Sequence, residues 1–198
     1  MGEIQVLKKT FFFGKIAKTL KKTLHLQMLA NDHYQDLQSL VLALGDILKQ
    51  QVAGIDADVL QVDEANVTGH AEDGAIAAAG INRVLEGVQG EKAVHLCFGN
   101  YGGQVIQKGT YERLVEFLNA LDVGHVILEL ARRPDGELDM LREVRPEIGL
   151  GIGVIDIKDN VVETPEQVAA RIERAAEVLG EERIHYVHPD CGFWMLPR

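Results

Sequence analysis

The chain has 198 residues, of which 46% are hydrophobic and 25% charged, and its net charge is −10. That length and mix suit a single globular core and do not suit a disordered chain, while the acidic balance excludes a general nucleic-acid binder, which needs a basic face for phosphates. No run approaches the roughly 20 apolar residues that span a bilayer and no signal peptide opens the chain, so its two cysteines are expected in the reducing cytoplasm, as free thiols or metal ligands before a disulfide.

In chain order, the first feature is a basic stretch, LKKTFFFGKIAKTLKK, with lysines and no acid. Residues 1–31 read as a basic N-terminal segment, in the first place a solvated helix with an apolar side and in the second a membrane-surface helix. Two pieces of it, KTFFF and TLHLQML, could instead form extra strands. Residues 34–52 put Leu37, Leu40, Val41, Leu44, Ile47 and Leu48 on one helical face, and Gly54 stops that helix. ADVLQV, at 57–62, then reads as a buried strand. From there helices are expected near 73–88, 110–121, 135–144 and 165–179, alternating with strands at 92–97, 124–129, 148–155 and 183–188. The helix at 165 has a marked start, with Thr164 as N-cap, Pro165 at the first helical position and Gln167 closing a capping box.

Short apolar strands separated by amphipathic helices predict an α/β fold with a parallel sheet. A (β/α)8 barrel and a doubly wound sheet both fit, so the polar residues must decide. Barrel chemistry sits where strands end, and here each predicted strand ends on a reactive side chain. Asp63 and Glu64 follow the first, His95 and Cys97 close the second, Glu129 the third and Asp156 the fourth, and Cys191 lies just beyond the fifth. A doubly wound nucleotide binder wants a glycine-rich turn between strand and helix, whereas the glycines of GLGIGVIDIKDN lie inside a strand. The prediction is a partial barrel of about five strands over residues 32–198, with no linker inside it.

His95 and Cys97 are two apart on a strand, so their side chains project to one side. With Glu129 and Cys191 they make an imidazole, two thiols and a carboxylate, a donor set suited to Zn²⁺. Each has a plainer reading: a small buried hydrophobe for Cys97, a satisfied core histidine for His95, a partner of Arg132 or Arg133 for Glu129, an incidental loop thiol for Cys191. Asp156 and Asp159 could act as an acid and base or simply hold a turn. Gly99, Gly102 and Gly103 could let a substrate approach the backbone beside Asn100 and Tyr101, or serve an ordinary turn. His188 is a loop residue or a support to the metal site. Phe193 and Trp194 could wall a pocket, and His70 and His125 read as surface or packing residues.

Several of these segments are recognisable together. VLQVDEANV, VHLCFGNYGG, VILELARRP, GLGIGVIDIKDNVVETPEQVAARI and HPDCGF closely resemble the catalytic barrel of the cobalamin-independent methionine synthase family, including its epoxyalkane:coenzyme M transferase relatives. The resemblance covers roughly residues 32–198. It implies a zinc held by His95, Cys97, Glu129 and Cys191, with Asp63 contacting the amino group of a homocysteine acceptor. Beside that resemblance, Glu64, Asn100 and Tyr101 are expected as further substrate contacts, and Asp156 joins Asp63 as a candidate catalytic residue. The implied activity is methyl or alkyl transfer to a thiol, with a methylated folate as donor. Within the same resemblance, a coenzyme M-type alkyl transferase or a non-catalytic zinc-binding barrel unit is the alternative. The family's barrel has eight strands against about five here, and Ala65 stands where the family has proline. These departures predict a fragment, or a homo-oligomer or partner chain that completes the barrel.

Overall fold

The computed structural model describes residues 10–13, 34, 36–99 and 105–193. Six strands run through them: β1 (Thr10–Phe13), β2 (Val59–Glu64), β3 (Glu91–Leu96), β4 (His125–Leu128), β5 (Gly149–Ile155) and β6 (Ile184–Pro189). They lie in one sheet in the order β1-β2-β3-β4-β5-β6, and every neighbouring pair is parallel. Sequential parallel strands joined by right-handed crossovers put all their helices on one face. A doubly wound sheet would show a reversal of order, so this is the winding of a barrel wall.

The helices are α1 (Leu37–Val52), α2 (Gly74–Leu85), α3 (Val115–Ala120), α4 (Gly136–Met140) and α5 (Pro165–Leu179). Asp36 caps α1, its carboxylate accepting from the Ser39 amide while Ser39 returns the bond in a capping box; Thr164 and Gln167 do the same for α5, with proline in its first turn. Such a cap contributes about 1 kcal/mol. The middle helices are shorter than the sequence suggests. The region expected as 110–121 splits into a 3-10 turn at Tyr111–Leu114 followed by α3, and that expected as 135–144 is α4 followed by a 3-10 turn at Leu141–Glu143.

The basic start also departs from its leading reading. Thr10–Phe13 is a strand paired with β2, Thr10 opposite Val59, as the alternative for KTFFF allows; TLHLQML lies outside the described residues. Three consecutive phenylalanines at Phe11–Phe13 favour extended backbone, which flanking lysines do not prevent. No helix of the described residues is long and apolar enough to cross a membrane.

Alternation along each strand separates two faces. Val94, Leu96, Val126, Leu128, Leu150, Ile152 and Val154 join Ile81, Val84, Leu85, Leu118, Leu121 and Val178 from the helices in one buried cluster. Each fully buried leucine there contributes about 1.5–3 kcal/mol. The opposite, inner face carries Gln61, Asp63, Glu91, His95 and His125, with Glu129 one step beyond β4. On β5 the inner positions are glycines. A β-carbon on Gly149 would sit 2.1 Å from His185 Nδ1, and one on Gly153 would sit 2.2 Å from Asp190 Oδ1. These glycines let bulky side chains of β6 and its loop lie across β5.

Candidate metal centre

Register brings the carboxyl ends of four strands to one level, with Asp63 opposite His95 and His95 opposite Ile127, two residues before Glu129. The His95, Cys97, Glu129 and Cys191 donor atoms all lie within 4.8 Å of one another. The residues that close this group come from β3, the ends of β3 and β4, and the loop after β6.

Polar atoms there are left without protein partners. His95 is buried, and neither ring nitrogen makes a hydrogen bond; Glu129 is buried and its Oε1 has none. Burying such groups unpaired costs several kcal/mol, so convergence of three kinds of donor around orphaned atoms is the arrangement expected of a cation site. Each sulfur also faces a backbone amide. The Gly99 N–H donates to Cys97 Sγ at 3.3 Å, from a residue whose φ of 85° favours glycine, and Gly192 supplies an amide to Cys191.

The two thiols titrate as a pair. Cys191 is pulled down to about 4, first by the adjacent Cys97 and then, against burial, by His95. Cys97 is pushed well above its ordinary value by Cys191, by burial and by Glu129. The pair thus keeps one proton, with the thiolate on Cys191. Burial opposes charge on His95, yet Cys191, Asp63 and Glu129 outweigh it and raise its pKa. Cys191 therefore acts on the His95 charge at close range even though no hydrogen bond of good geometry joins them.

Supporting contacts fix the donors. Asp190 is buried; its Oδ1 accepts from the Leu130 and Ala131 amides at 2.9 and 3.0 Å, and its own amide donates to Ile155 O. One carboxylate thereby ties the residues following Glu129 to the residue preceding Cys191. Burial raises the Asp190 pKa to about 6, with the amides opposing. Tyr111 Oη donates to the Glu129 carbonyl at 3.2 Å. Lys158 Nζ lies 2.9 Å from Glu129 Oε2, both side chains almost wholly enclosed. Glu129 does not pair with either neighbouring arginine: Arg132 binds Asp156 and Arg133 binds Glu137.

The other predicted residues divide. Asp63 stands on the inner face, its Oδ1 accepting from Gln61 Nε2 at 2.8 Å. Glu64, next along β2, points the other way; it is buried and its Oε1 accepts from the Asn66 and Val67 amides, so the structure does not bring it to the group. Burial raises its pKa against those amides. Asp156 accepts from the Lys158 amide at 2.8 Å and Asp159 from the Val161 amide, both holding the loop after β5. His188 Nδ1 lies 2.7 Å from Pro189 O, and its Nε2 is buried without a partner. Phe193 is exposed. Asn100, Tyr101, Gly102, Gly103 and Trp194 lie outside the described residues. Sequence reasoning missed Lys158 and Asp190. Only Asp190 left a signal, as the residue before cysteine in HPDCGF.

Fold and donors together define a barrel-type α/β protein with a four-residue candidate cation site at the strand ends. Residues 23–198 match the family described as "Cobalamin-independent synthase, Catalytic domain", and the chain belongs to that family. It is 31% identical over 171 residues to a methionine synthase of Thermococcus kodakarensis, covering 85% of this chain and 47% of that protein. A methionine synthase of Pyrococcus abyssi is 28% identical over the same share of each. Among solved structures, a B12-independent methionine synthase from Shewanella sp. W3-18-1 in complex with selenomethionine superposes with a TM-score of 0.66 at 23% identity, over 84% of this chain and 51% of that one. The chain spans about half the length of the curated relatives it matches.

Proposed function

We propose that this chain carries the zinc site of a methyl transfer to the sulfur of homocysteine, with a methylated folate as donor. One observation carries the reading: His95, Cys97, Glu129 and Cys191 converge within 4.8 Å while both His95 nitrogens and Glu129 Oε1 are left buried and unpartnered. These donors fit zinc, which accepts thiolate, imidazole and carboxylate in a tetrahedral set. A bound zinc would supply the positive charge that deprotonates a coordinating substrate thiol near neutral pH.

The remaining work falls to the chain itself. Cys97 would have to give up the proton it shares with Cys191 for both sulfurs to hold a cation, so loading would be favoured by rising pH. Asp63, on the inner face beside His95, is placed to bind the ammonium group of an amino-acid thiol. Asp190 holds the loop carrying Cys191 against the residues after Glu129, which keeps the donors in register while substrate exchanges. Strand β6 ends the order of described strands, and Val187 on it is 43% exposed; a second copy or partner chain laid along that edge would extend the sheet towards a closed barrel.

The test is turnover by the zinc-loaded chain. Methionine formed from homocysteine and a methylated folate supports the reading. Product only from coenzyme M and an epoxide moves it to the alkyl transferase relatives. Zinc retained with no turnover of either pair leaves a non-catalytic metal-binding unit and overturns it.

A further inference from the structure

The buried Lys158 ammonium has no role in the reading above, yet it touches the only carboxylate of the donor group. Its contact is with Oε2 of Glu129, at 2.9 Å, and Oε1, the other oxygen, is the one left without a partner. The loop that delivers Lys158 is built for rigidity. Asp156 Oδ1 accepts the Lys158 amide and its Oδ2 lies 2.9 Å from Arg132 Nε. Glu163 accepts the Asp156 amide and is itself paired with Arg171. Two acids and two arginines are therefore spent on aiming one lysine.

Charge explains the choice of a cation. Two thiolates and a carboxylate around a dication leave one negative charge over, in a place where an unbalanced charge costs several kcal/mol. Lys158 balances it. If a substrate thiolate takes a coordination position, an anionic donor must give way, and Glu129 is the donor whose second oxygen already has a cation to stay with. Outside the donor group itself, the fixed partner beside each sulfur is a backbone amide, of Gly99 for Cys97 and of Gly192 for Cys191.

We propose that Lys158 is a positioning residue that makes Glu129 a one-oxygen, exchangeable ligand, occupying Oε2, presenting Oε1 to the cation, and keeping the carboxylate paired when a substrate thiolate displaces it. This rests on the zinc and thiol reading above. It takes Lys158 out of the class of structural ion pairs, because its effect appears in the affinity for thiol and not in the affinity for metal alone.

The test uses cobalt(II) in place of zinc, so that sulfur-to-metal charge-transfer absorption reports each added thiolate independently of turnover. Homocysteine is titrated into the cobalt-loaded wild type, Lys158→Met, Lys158→Arg, Glu129→Gln and the Glu129→Gln/Lys158→Met double variant. Lys158→Met is expected to raise the half-saturating homocysteine concentration about tenfold or more, a part of what breaking a buried ion pair costs, with cobalt content unchanged. Lys158→Arg, which keeps the cation, stays nearer to wild type than to Lys158→Met. In the Glu129→Gln background the Lys158→Met change has no further effect, since it acts through the carboxylate. Half-saturation of Lys158→Met within about twofold of wild type, or an equal loss in both backgrounds, overturns the proposal. Should Lys158→Met alone fail to fold, the double variant, whose neutral pair leaves no buried charge, decides together with Lys158→Arg: a further loss of homocysteine affinity on adding Lys158→Met to Glu129→Gln overturns the proposal, and an unchanged affinity there with Lys158→Arg near wild type supports it. A wild type that takes no cobalt, or takes it and ignores homocysteine, removes the functional reading as well, which separates that failure from the failure of the lysine alone.

Discussion

Two histidines on the inner face of the sheet, one at each end of the strands, are both fully enclosed and meet different fates. At the amino end of β4, His125 Nδ1 lies 2.6 Å from Glu91 Oε1, and Tyr186 Oη donates to the other oxygen of the same carboxylate at 3.2 Å. At the carboxyl end of β3, His95 has no hydrogen bond at either nitrogen. Burial alone thus does not distinguish a structural imidazole from a ligand. His125 Nε2 is unpartnered as well, so the difference lies in the second nitrogen and its surroundings: at the lower end the fold gives Nδ1 a carboxylate that Tyr186 also holds, and at the upper end it sets two sulfurs and a carboxylate oxygen around the imidazole instead. This agrees with the general division of barrel folds into a stabilising amino face and a reactive carboxyl face.

The comparison breaks most sharply at the sulfurs. Cys97→Ser and Cys191→Ser are each expected to weaken zinc binding by more than about a hundredfold, beyond the loss usual for residues that merely support a ligand. His125→Leu should leave zinc affinity within about twofold of wild type, again against the supporting-residue range. Competition with a coloured chelator measures both; equal zinc affinity in wild type and the serine variants would dissolve the distinction between the two ends. Gly153→Ala comes next. Its added methyl would meet Asp190 Oδ1 and Leu128 O at 2.2 and 2.7 Å, and backbone cannot yield as a side chain does, so urea unfolding should show a loss of about 2–3 kcal/mol, in the overpacking range. Asp190→Ala frees the Leu130 and Ala131 amides and should cost about tenfold in zinc affinity, the scale seen when a ligand's supporting contacts are removed. If Asp190→Ala lowers the melting temperature but spares zinc, the clamp between Glu129 and Cys191 plays no part in holding the donors.

The smallest effect is a dependence on pH. Burial lowers the His125 pKa below its ordinary 6.5, with Glu91 opposing that shift only in part. An unfolded chain therefore binds more protons than the folded one as pH falls through 6.5 towards the lowered value. The stability that neutral His125 brings is complete above about 6.5 and declines below it. Melting temperature measured from pH 8 to 5 should fall in the acid half of the range, and less steeply in His125→Leu. An unchanged slope would assign the acid sensitivity to other groups.

Much of the fold was legible because the strands are apolar runs and α5 carries its own start signal in Thr164, Pro165 and Gln167. The split of the 110–121 region into a 3-10 turn and α3 was not, since Tyr111 is held by tertiary contacts: its amide donates to Glu137 and its hydroxyl to the Glu129 carbonyl. The strand at Thr10–Phe13 is the alternative for a stretch whose basic, partly apolar composition points first to a solvated helix. At the site, the alternation His95-x-Cys97 was readable from strand geometry alone. Glu64 was not separable from Asp63 by residue type, although the same alternation that pairs His95 with Cys97 sends adjacent residues to opposite faces. The plainer alternative for Glu129, a pair with Arg132 or Arg133, looks only to neighbours in sequence, whereas its ion-pair partner is Lys158. Lys158 reaches it only through the loop after β5, and the room Asp190 needs beside that loop exists because Gly153 has no side chain. Such roles depend on register between β5 and β6, which shifts between Leu150 and Gly151 and again between Gly153 and Ile155, and no local pattern encodes those shifts.

X-ray absorption at the zinc edge of the reconstituted chain tests the site most directly. The account predicts two sulfur neighbours at about 2.3 Å and two nitrogen or oxygen neighbours at about 2.0–2.2 Å, with one sulfur lost in Cys97→Ser or Cys191→Ser. A first shell of nitrogen and oxygen only, or a shell unchanged by either substitution, would contradict it.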